Sequence, residues 1–269
     1  MVSILHFLRL SVYSFILVLA SVSTGYSQSI SEPGKQIEVR GKHALIYTKN
    51  GEGFVHENIP HSVRALEKLL SEKGMTYESS EDPSLFTPEN LEKFDVLIFS
   101  NTNNDVFDND RQRSAFQRYI QGGGGFVGIH SASGSERNWP WFWAMLGGKF
   151  FRHPPFQSFN ITKIDPEHSS ARPVPNYWER EDECYYLKEL NPDIHIILAA
   201  DLASIDDPKM DEYPSNTFGK YFPVTWCHSF DGGHQWYTSL GHASEHYEDP
   251  IFMDHIWGGI EWVLKKREE

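Results

Sequence analysis

From residue 43 onward, short apolar runs alternate with stretches of helical period. Residues 43–47 (HALIY) read as a buried strand. Pro60 then opens a helix, because proline is tolerated at the first helical position. Val63, Leu66, Leu69 and Leu70 recur at the spacing of one helix face, and Gly74 ends it. Residues 75–78 predict a second strand. Residues 95–99 (DVLIF) predict a third, continuously apolar as a strand covered on both faces should be. A helix over residues 108–121 follows, with Phe116, Tyr119 and Ile120 turned inward. The glycine run 122–125 closes it and leads into a fourth strand, residues 126–129 (FVGI). Strand and helix in alternation predict right-handed crossovers and a parallel sheet between two helical layers.

The second half changes character. Residues 159–164, 184–187, 194–199, 223–227 and 236–240 predict short strands with few helices between them, extending the sheet or adding an antiparallel layer. A last helix over residues 250–266 presents Phe252, Ile256, Ile260 and Val263 on one face. No repeat, linker or compositional break interrupts the chain after residue 40, so residues 43–266 are expected to form one domain. The fold class this implies is α/β, a three-layer sandwich with a mainly parallel central sheet extended by extra strands in the C-terminal half.

The first 42 residues follow other rules. A head carrying Arg9 precedes an apolar run from Leu10 to Val22, followed by Ser23, Thr24, Gly25 and Ser27. That order is the pattern of a secretory signal peptide, with cleavage expected after Ser27. The run is shorter than the roughly 20 residues that a membrane-spanning helix needs. Residues 1–27 are therefore read as a signal peptide and 28–42 as an N-terminal extension, which predicts an exported protein, periplasmic or extracellular, with no membrane insertion after cleavage. The formal charge of −13 argues against nucleic acid and anionic membrane as partners. The two cysteines, Cys184 and Cys227, could pair in an oxidising compartment, but two buried thiols fit their spacing equally. The sequence leaves a homo-oligomer open.

Candidate chemistry concentrates around His130. It stands where the fourth strand ends, and in sheets of this kind ligands bind beyond the carboxyl ends of strands. A sharp strand-to-helix turn there would expose one side chain, here an imidazole able to act as base, proton shuttle or metal ligand. His56, in the loop after the first strand, His153, in LGGKFFRHPP, and His242, ending YTSLGH, fall at the same end of the sheet. Glu183 could add a carboxylate, with Asp182 beside it as a competitor. Two mechanisms fit. His56, His130 and His242, with or without a carboxylate, could hold Zn²⁺ or a similar divalent ion. Otherwise His130, Glu183 and His242 serve as acid and base without a metal. Trp139, Trp141, Tyr185 and His153 are the candidate substrate-binding groups, since ring faces suit the apolar faces of a pyranose. The glycine run precedes a strand, whereas a dinucleotide fingerprint follows one, so no nucleotide cofactor is expected.

The same segments resemble the ThuA-like (trehalose utilisation) family. The shared features are F-x-H at Phe54 and His56, GGGFVGIH over 123–130 and GG-x-F-x-x-HP over 147–154. DE-x-Y over 182–185, P-V-T-W over 223–226 and YTSLGH ending at His242 add to them, and DP-x-F…GGIEW over 249–262 closes the set. The resemblance implies a flavodoxin-like fold related to class I glutamine amidotransferases. Those enzymes carry GIC at the elbow where this chain has GIH, so it also implies that glutaminase activity is absent. It implies a carbohydrate substrate, a disaccharide or keto-sugar derivative whose glycosidic bond is hydrolysed or eliminated. The alternative is a non-catalytic sugar-binding or sensing module.

Overall fold

The structure, a computed structural model, describes residues 38–268 except residue 216. The signal segment expected over 1–27 lies outside the described residues, as do residues 28–37 of the expected extension. No helix among the described residues is long and apolar enough to cross a membrane.

Among the described residues, eleven strands and five α-helices follow one another as β1 (His43–Tyr47), α1 (Ile59–Glu72), β2 (Thr76–Ser80), α2 (Pro88–Leu91), β3 (Val96–Ser100), α3 (Asp110–Gln121) and β4 (Gly125–Ile129). Then come α4 (Pro140–Leu146), β5 (Lys149–Arg152), β6 (Gln157–Lys163), β7 (Tyr177–Asp182), β8 (Tyr186–Lys188) and β9 (His195–Asp201). β10 (Tyr221–Phe230), β11 (Gly233–Thr238) and α5 (Pro250–Glu268) end the chain. Nine strands form one sheet in the order β2-β1-β3-β4-β11-β10-β9-β6-β7. The five from β2 to β11 run parallel, and the remaining neighbours are antiparallel. The expected α/β sandwich, a parallel core extended by later strands, is the observed one.

Each parallel strand divides its side chains between two layers, because successive residues point to opposite faces. Ala44 and Ile46 of β1, with Val96 and Ile98 of β3, pack against Leu66, Leu69 and Leu70 of α1 and Phe252, Ile256 and Ile260 of α5. Leu45, Tyr47, Leu97 and Phe99 face the other way, onto Phe116 and Ile120 of α3 and Phe142, Met145 and Leu146 of α4. Burying each such side chain contributes roughly 1.5–3 kcal/mol. α3 starts at Asn109, whose side chain accepts from the Arg111 and Gln112 amides, as an N-cap should.

Two expectations need correction. Residues 184–187 do not join the central sheet; β8 starts at Tyr186 and pairs with β5 in a separate two-stranded sheet. The edge strand β7 was not expected, because its inward positions are Trp178, Arg180 and Asp182, so apolar alternation is hidden by buried charge. Both cysteines are free and buried.

Candidate functional site

Strand direction gathers the site. β1, β3, β4 and β11 are parallel, and two antiparallel reversals from β10 to β9, then two more from β6 to β7, turn β7 the same way. The carboxyl ends of β1, β4, β11 and β7 therefore open onto one edge of the sheet. Four segments leave those ends: the loop with His56, the turn at His130, the loop with His242, and Glu183 directly after Asp182. Residues separated in sequence by up to 186 positions meet there because of the topology, not because of a local motif.

His130 occupies the turn after β4 with φ 52°, a left-handed conformation that costs a β-carbon residue energy and needs external support. Support comes from both ends of the residue. Tyr237 Oη donates to its carbonyl at 2.8 Å, and its own Nδ1 donates to the Ser239 carbonyl at 2.7 Å. Since a carbonyl can only accept, Nδ1 carries the proton and Nε2 of the neutral ring is left with its lone pair. Around Nε2 lie His56 Nε2 at 3.2 Å, His242 Nδ1 at 3.3 Å, Tyr185 Oη at 2.9 Å and Glu183 Oε2 at 3.7 Å. Glu183 Oε2 is 3.0 Å from His242 Nδ1, and its Oε1 is 3.4 Å from His153 Nδ1. His56 is oriented from behind by Ser131 Oγ, 3.2 Å from Nδ1.

Burial sets the protonation states. It lowers the pKa of His56 to about 4, with His242 adding to the effect. It holds His130 well below the usual imidazole range, reinforced by His56. Burial also opposes charge on His242, but the hydrogen bond and charge of Glu183 outweigh it, and its pKa is raised. Tyr185 is pushed well above the phenol range by burial and by Glu183, so its hydroxyl stays protonated. At neutral pH, His56 and His130 are thus neutral rings.

Among the described residues, His56, His130, Glu183 and His242 are the group that could hold a metal ion, with ligand atoms all within 4.8 Å of one another. A tetrahedral zinc site with Zn–N bonds of about 2.0–2.1 Å has ligand–ligand edges of roughly 3.3 Å. The His56–His130 and His130–His242 separations match that edge. The donor set, neutral imidazoles plus a carboxylate with one ring oriented by a backbone carbonyl, also fits.

Asp182 and Glu183 have different tasks. Asp182 is fully buried and faces the backbone: Oδ1 accepts from the amides of Glu183 (2.9 Å) and His242 (3.1 Å), and Oδ2 from the amide of Gly241 (2.9 Å) and from Arg180 Nε (3.1 Å). It ties the two loops that deliver Glu183 and His242. Asn58 holds the His242 loop from the other side, its Nδ2 donating to the Gly241 carbonyl at 2.8 Å and to that of His242 at 2.7 Å.

Beside the cluster opens a cavity of about 290 Å³, lined by Phe54, His56, Asn103, Ser131, Gly134, Arg137, Phe150, His153, Glu183 and Tyr185. His153 and Tyr185 are therefore where substrate would meet the cluster. Trp139 and Trp141 are not. They stack on each other at a centroid distance of 5.0 Å and pack with Phe116, and Trp141 Nε1 donates to Asp231 at 2.9 Å. The apolar layer around α3 claims these rings, as it does most large aromatics. The rings on the cavity side are instead Phe54, 63% exposed and 4.8 Å from the His56 ring, and Phe150. Phe156, 40% exposed, lies 5.4 Å from the His242 ring. Asn103 and Arg137 also escaped sequence reasoning, although Asn103 follows β3 in a run of polar residues directly after a buried strand, which is a usable signal.

No functionally curated protein is significantly similar to this chain. Solved structures are. A ThuA-like protein from Bacteroides uniformis is 24% identical and superposes with a TM-score of 0.65, covering 86% of this chain and 95% of that one. A ThuA-like protein from Parabacteroides merdae is 19% identical, TM-score 0.64, covering 84% and 90%. A β-galactosidase from Bacillus circulans shares the fold more distantly, at 13% identity and TM-score 0.53, covering 85% of this chain and 31% of its own. A model of the ThuA family, described as trehalose utilisation, matches residues 43–263. With that match over most of its length, the chain belongs to the ThuA family, and its role is carbohydrate-related.

Proposed function

We propose that this protein is an exported carbohydrate-processing enzyme that breaks the glycosidic bond of a disaccharide or keto-sugar derivative. The observation that carries the reading is the convergence of His56, His130, Glu183 and His242 on one point beside a cavity that His56 and Glu183 help to line. A core histidine satisfied by the fold looks different: His255, for example, donates to the Ser170 carbonyl and lies 3.3 Å from Thr225 Oγ1.

His56 Nε2, His130 Nε2, His242 Nδ1 and Glu183 Oε2 are the atoms that would hold a divalent ion. Such an ion, when bound, would polarise a substrate carbonyl or acidify a water. The chain's own groups supply the rest. The Glu183 carboxylate stands between the cluster and His153, where it can take a proton from a C–H next to a sugar carbonyl or from water. On a keto-glycoside, loss of that C–H proton leaves an electron pair that expels the glycosidic oxygen, which departs with a proton. Tyr185 Oη, protonated and 2.9 Å from His130 Nε2, is the neighbouring donor. Phe54 and Phe150, which line the cavity, offer apolar ring surface to the sugar.

The test is turnover of 3-keto-glycosides and of the parent disaccharides by the metal-replete protein, with His130→Ala and Glu183→Gln alongside. The reading expects turnover that both substitutions abolish while sugar binding persists. Sugar binding without turnover on any of these substrates would instead identify a binding module.

A further inference from the structure

Four arginines are half-buried or buried in this domain: Arg113, Arg137, Arg152 and Arg180. Removing an arginine from water is costly, and such side chains are almost always paired. Three obey this rule. Arg113 meets Glu136 at 2.7 Å, Arg152 meets Asp207 at 2.8 Å, and Arg180 meets Asp182 and Asp249 at 3.1 and 3.0 Å. Arg137 has no carboxylate partner among the described residues. It is also the arginine that lines the cavity beside the histidine cluster.

Its guanidinium is held in place all the same. Nε donates to the Gly134 carbonyl at 3.0 Å, Nη2 donates to Asn103 Oδ1 at 3.3 Å, and the plane lies over the Phe150 ring, 5.5 Å from its centre. Asn103 is fixed in turn, since its Nδ2 donates to the Phe54 carbonyl at 3.1 Å. Gly134 leaves the room: a β-carbon there would stand 2.5 Å from Asn103 Oδ1 and 3.2 Å from Arg137 Nη2. These contacts use neutral acceptors, fix the orientation of the fork and leave Nη1 donors uncommitted. Glu183 is the one carboxylate of the cavity lining, and it is engaged with His242, His130 and His153.

We infer that the cavity takes a sugar bearing an anionic group, a carboxylate or a phosphate, with Arg137 as the residue that reads that group. The inference rests on the carbohydrate reading above and narrows its substrate class. A preoriented guanidinium without a counter-ion is the usual receptor for a planar anion, which it binds through paired N–H donors. The volume of about 290 Å³ sits at the small end of ligand cavities, about 300–1,000 Å³, so one substituted ring fills it. The family's association with a neutral disaccharide would not have suggested this.

Calorimetric titration of the metal-replete protein with glucose, glucuronate and glucose 6-phosphate tests it, because these probes need no turnover. A charge-assisted hydrogen bond contributes about 1.5–3 kcal/mol, which corresponds to about a ten- to hundred-fold preference for an anionic probe over glucose. Preference for glucuronate identifies a carboxylate as the group read, and preference for the phosphate identifies a phosphate. Arg137→Met should abolish the preference while metal content and melting temperature stay near wild type; Arg137→Lys should keep part of it. Equal affinity for all three probes, tighter glucose binding, or a preference that survives in Arg137→Met overturns the inference. So does failure of any probe to bind at millimolar concentration. Turnover of keto-glycosides is read separately: an active enzyme with no anion preference sinks this inference alone, and anion-selective binding without turnover sinks only the enzymatic reading.

Discussion

Replacing Asp182 by Asn removes one charge and almost no volume, and it probes how the site is assembled. Each carboxylate oxygen of Asp182 accepts two hydrogen bonds, Oδ1 from the Glu183 and His242 amides and Oδ2 from the Gly241 amide and Arg180 Nε. An asparagine has one acceptor oxygen and one NH₂ group. Whichever way the amide is turned, two N–H donors then face a third donor, fully buried. Arg180 also loses its inner counter-ion and keeps only Asp249. Breaking a buried charge pair by altering one partner costs about 3–5 kcal/mol, and stranding two donors falls in the same range at about 1–3 kcal/mol each. The variant should therefore lose about 3–5 kcal/mol in urea unfolding, or about 6–20 °C in melting temperature for a domain of this size. The same change frees the loops carrying Glu183 and His242, so any metal affinity should fall about ten- to hundred-fold, the usual effect of removing an outer-shell partner. A variant within about 1 kcal/mol of wild type would refute the claim that Asp182 clamps these loops.

Two further predictions concern stability. Gly147 has φ 108°, and a β-carbon there would stand 2.2 Å from Trp226 Nε1, which donates to the Leu146 carbonyl. Gly147→Ala combines left-handed strain with overpacking and should cost about 2–5 kcal/mol in urea unfolding; a loss under about 1 kcal/mol would contradict the packing. Burial also lowers the pKa of His168 to about 4 and of His255 to about 3. These rings stay neutral in the fold while the unfolded chain takes up protons near pH 6.5. Their effect is absent above pH 6.5, and stability falls as pH drops from 6.5 toward 4. Between pH 6.5 and 5 each costs about 2 kcal/mol at 1.36 kcal/mol per pH unit. His242, with its raised pKa, works in the opposite sense. Urea unfolding at pH 7 and pH 5 checks this, and His168→Gln should lose less on acidification than wild type; equal losses would contradict the assignment.

How much could be read from the sequence follows from where charge is buried. β1, β3 and β4 are apolar on both faces, so their runs are unmistakable. β7 is legible only after the fact, because Arg180 and Asp182 occupy its inward positions and the strand reads as surface. For the site, position relative to the strand ends was the informative signal: His56, His130 and His242 follow β1, β4 and β11, and the topology brings them together. Glu183 joins them because β7 happens to run the same way, which no local pattern announces. Trp139 and Trp141, partly buried, pack against the apolar layer around α3, since adjacency in sequence to His130 says nothing about which face of the sheet a ring reaches. Asn103 was legible from its place after β3, but Arg137 was not, because what distinguishes it is that no carboxylate among the described residues pairs with it.

The central claim is that His56, His130, Glu183 and His242 form one ligand set, and metal content tests it most directly. The protein would be purified without chelator or nickel affinity resin, and wild type compared with His130→Ala. One divalent ion per chain in wild type and none in a folded His130→Ala variant is the predicted result. A metal-free wild type that also fails to take up added Zn²⁺, or a variant that retains a full complement, would contradict the assignment of these four side chains as a metal site.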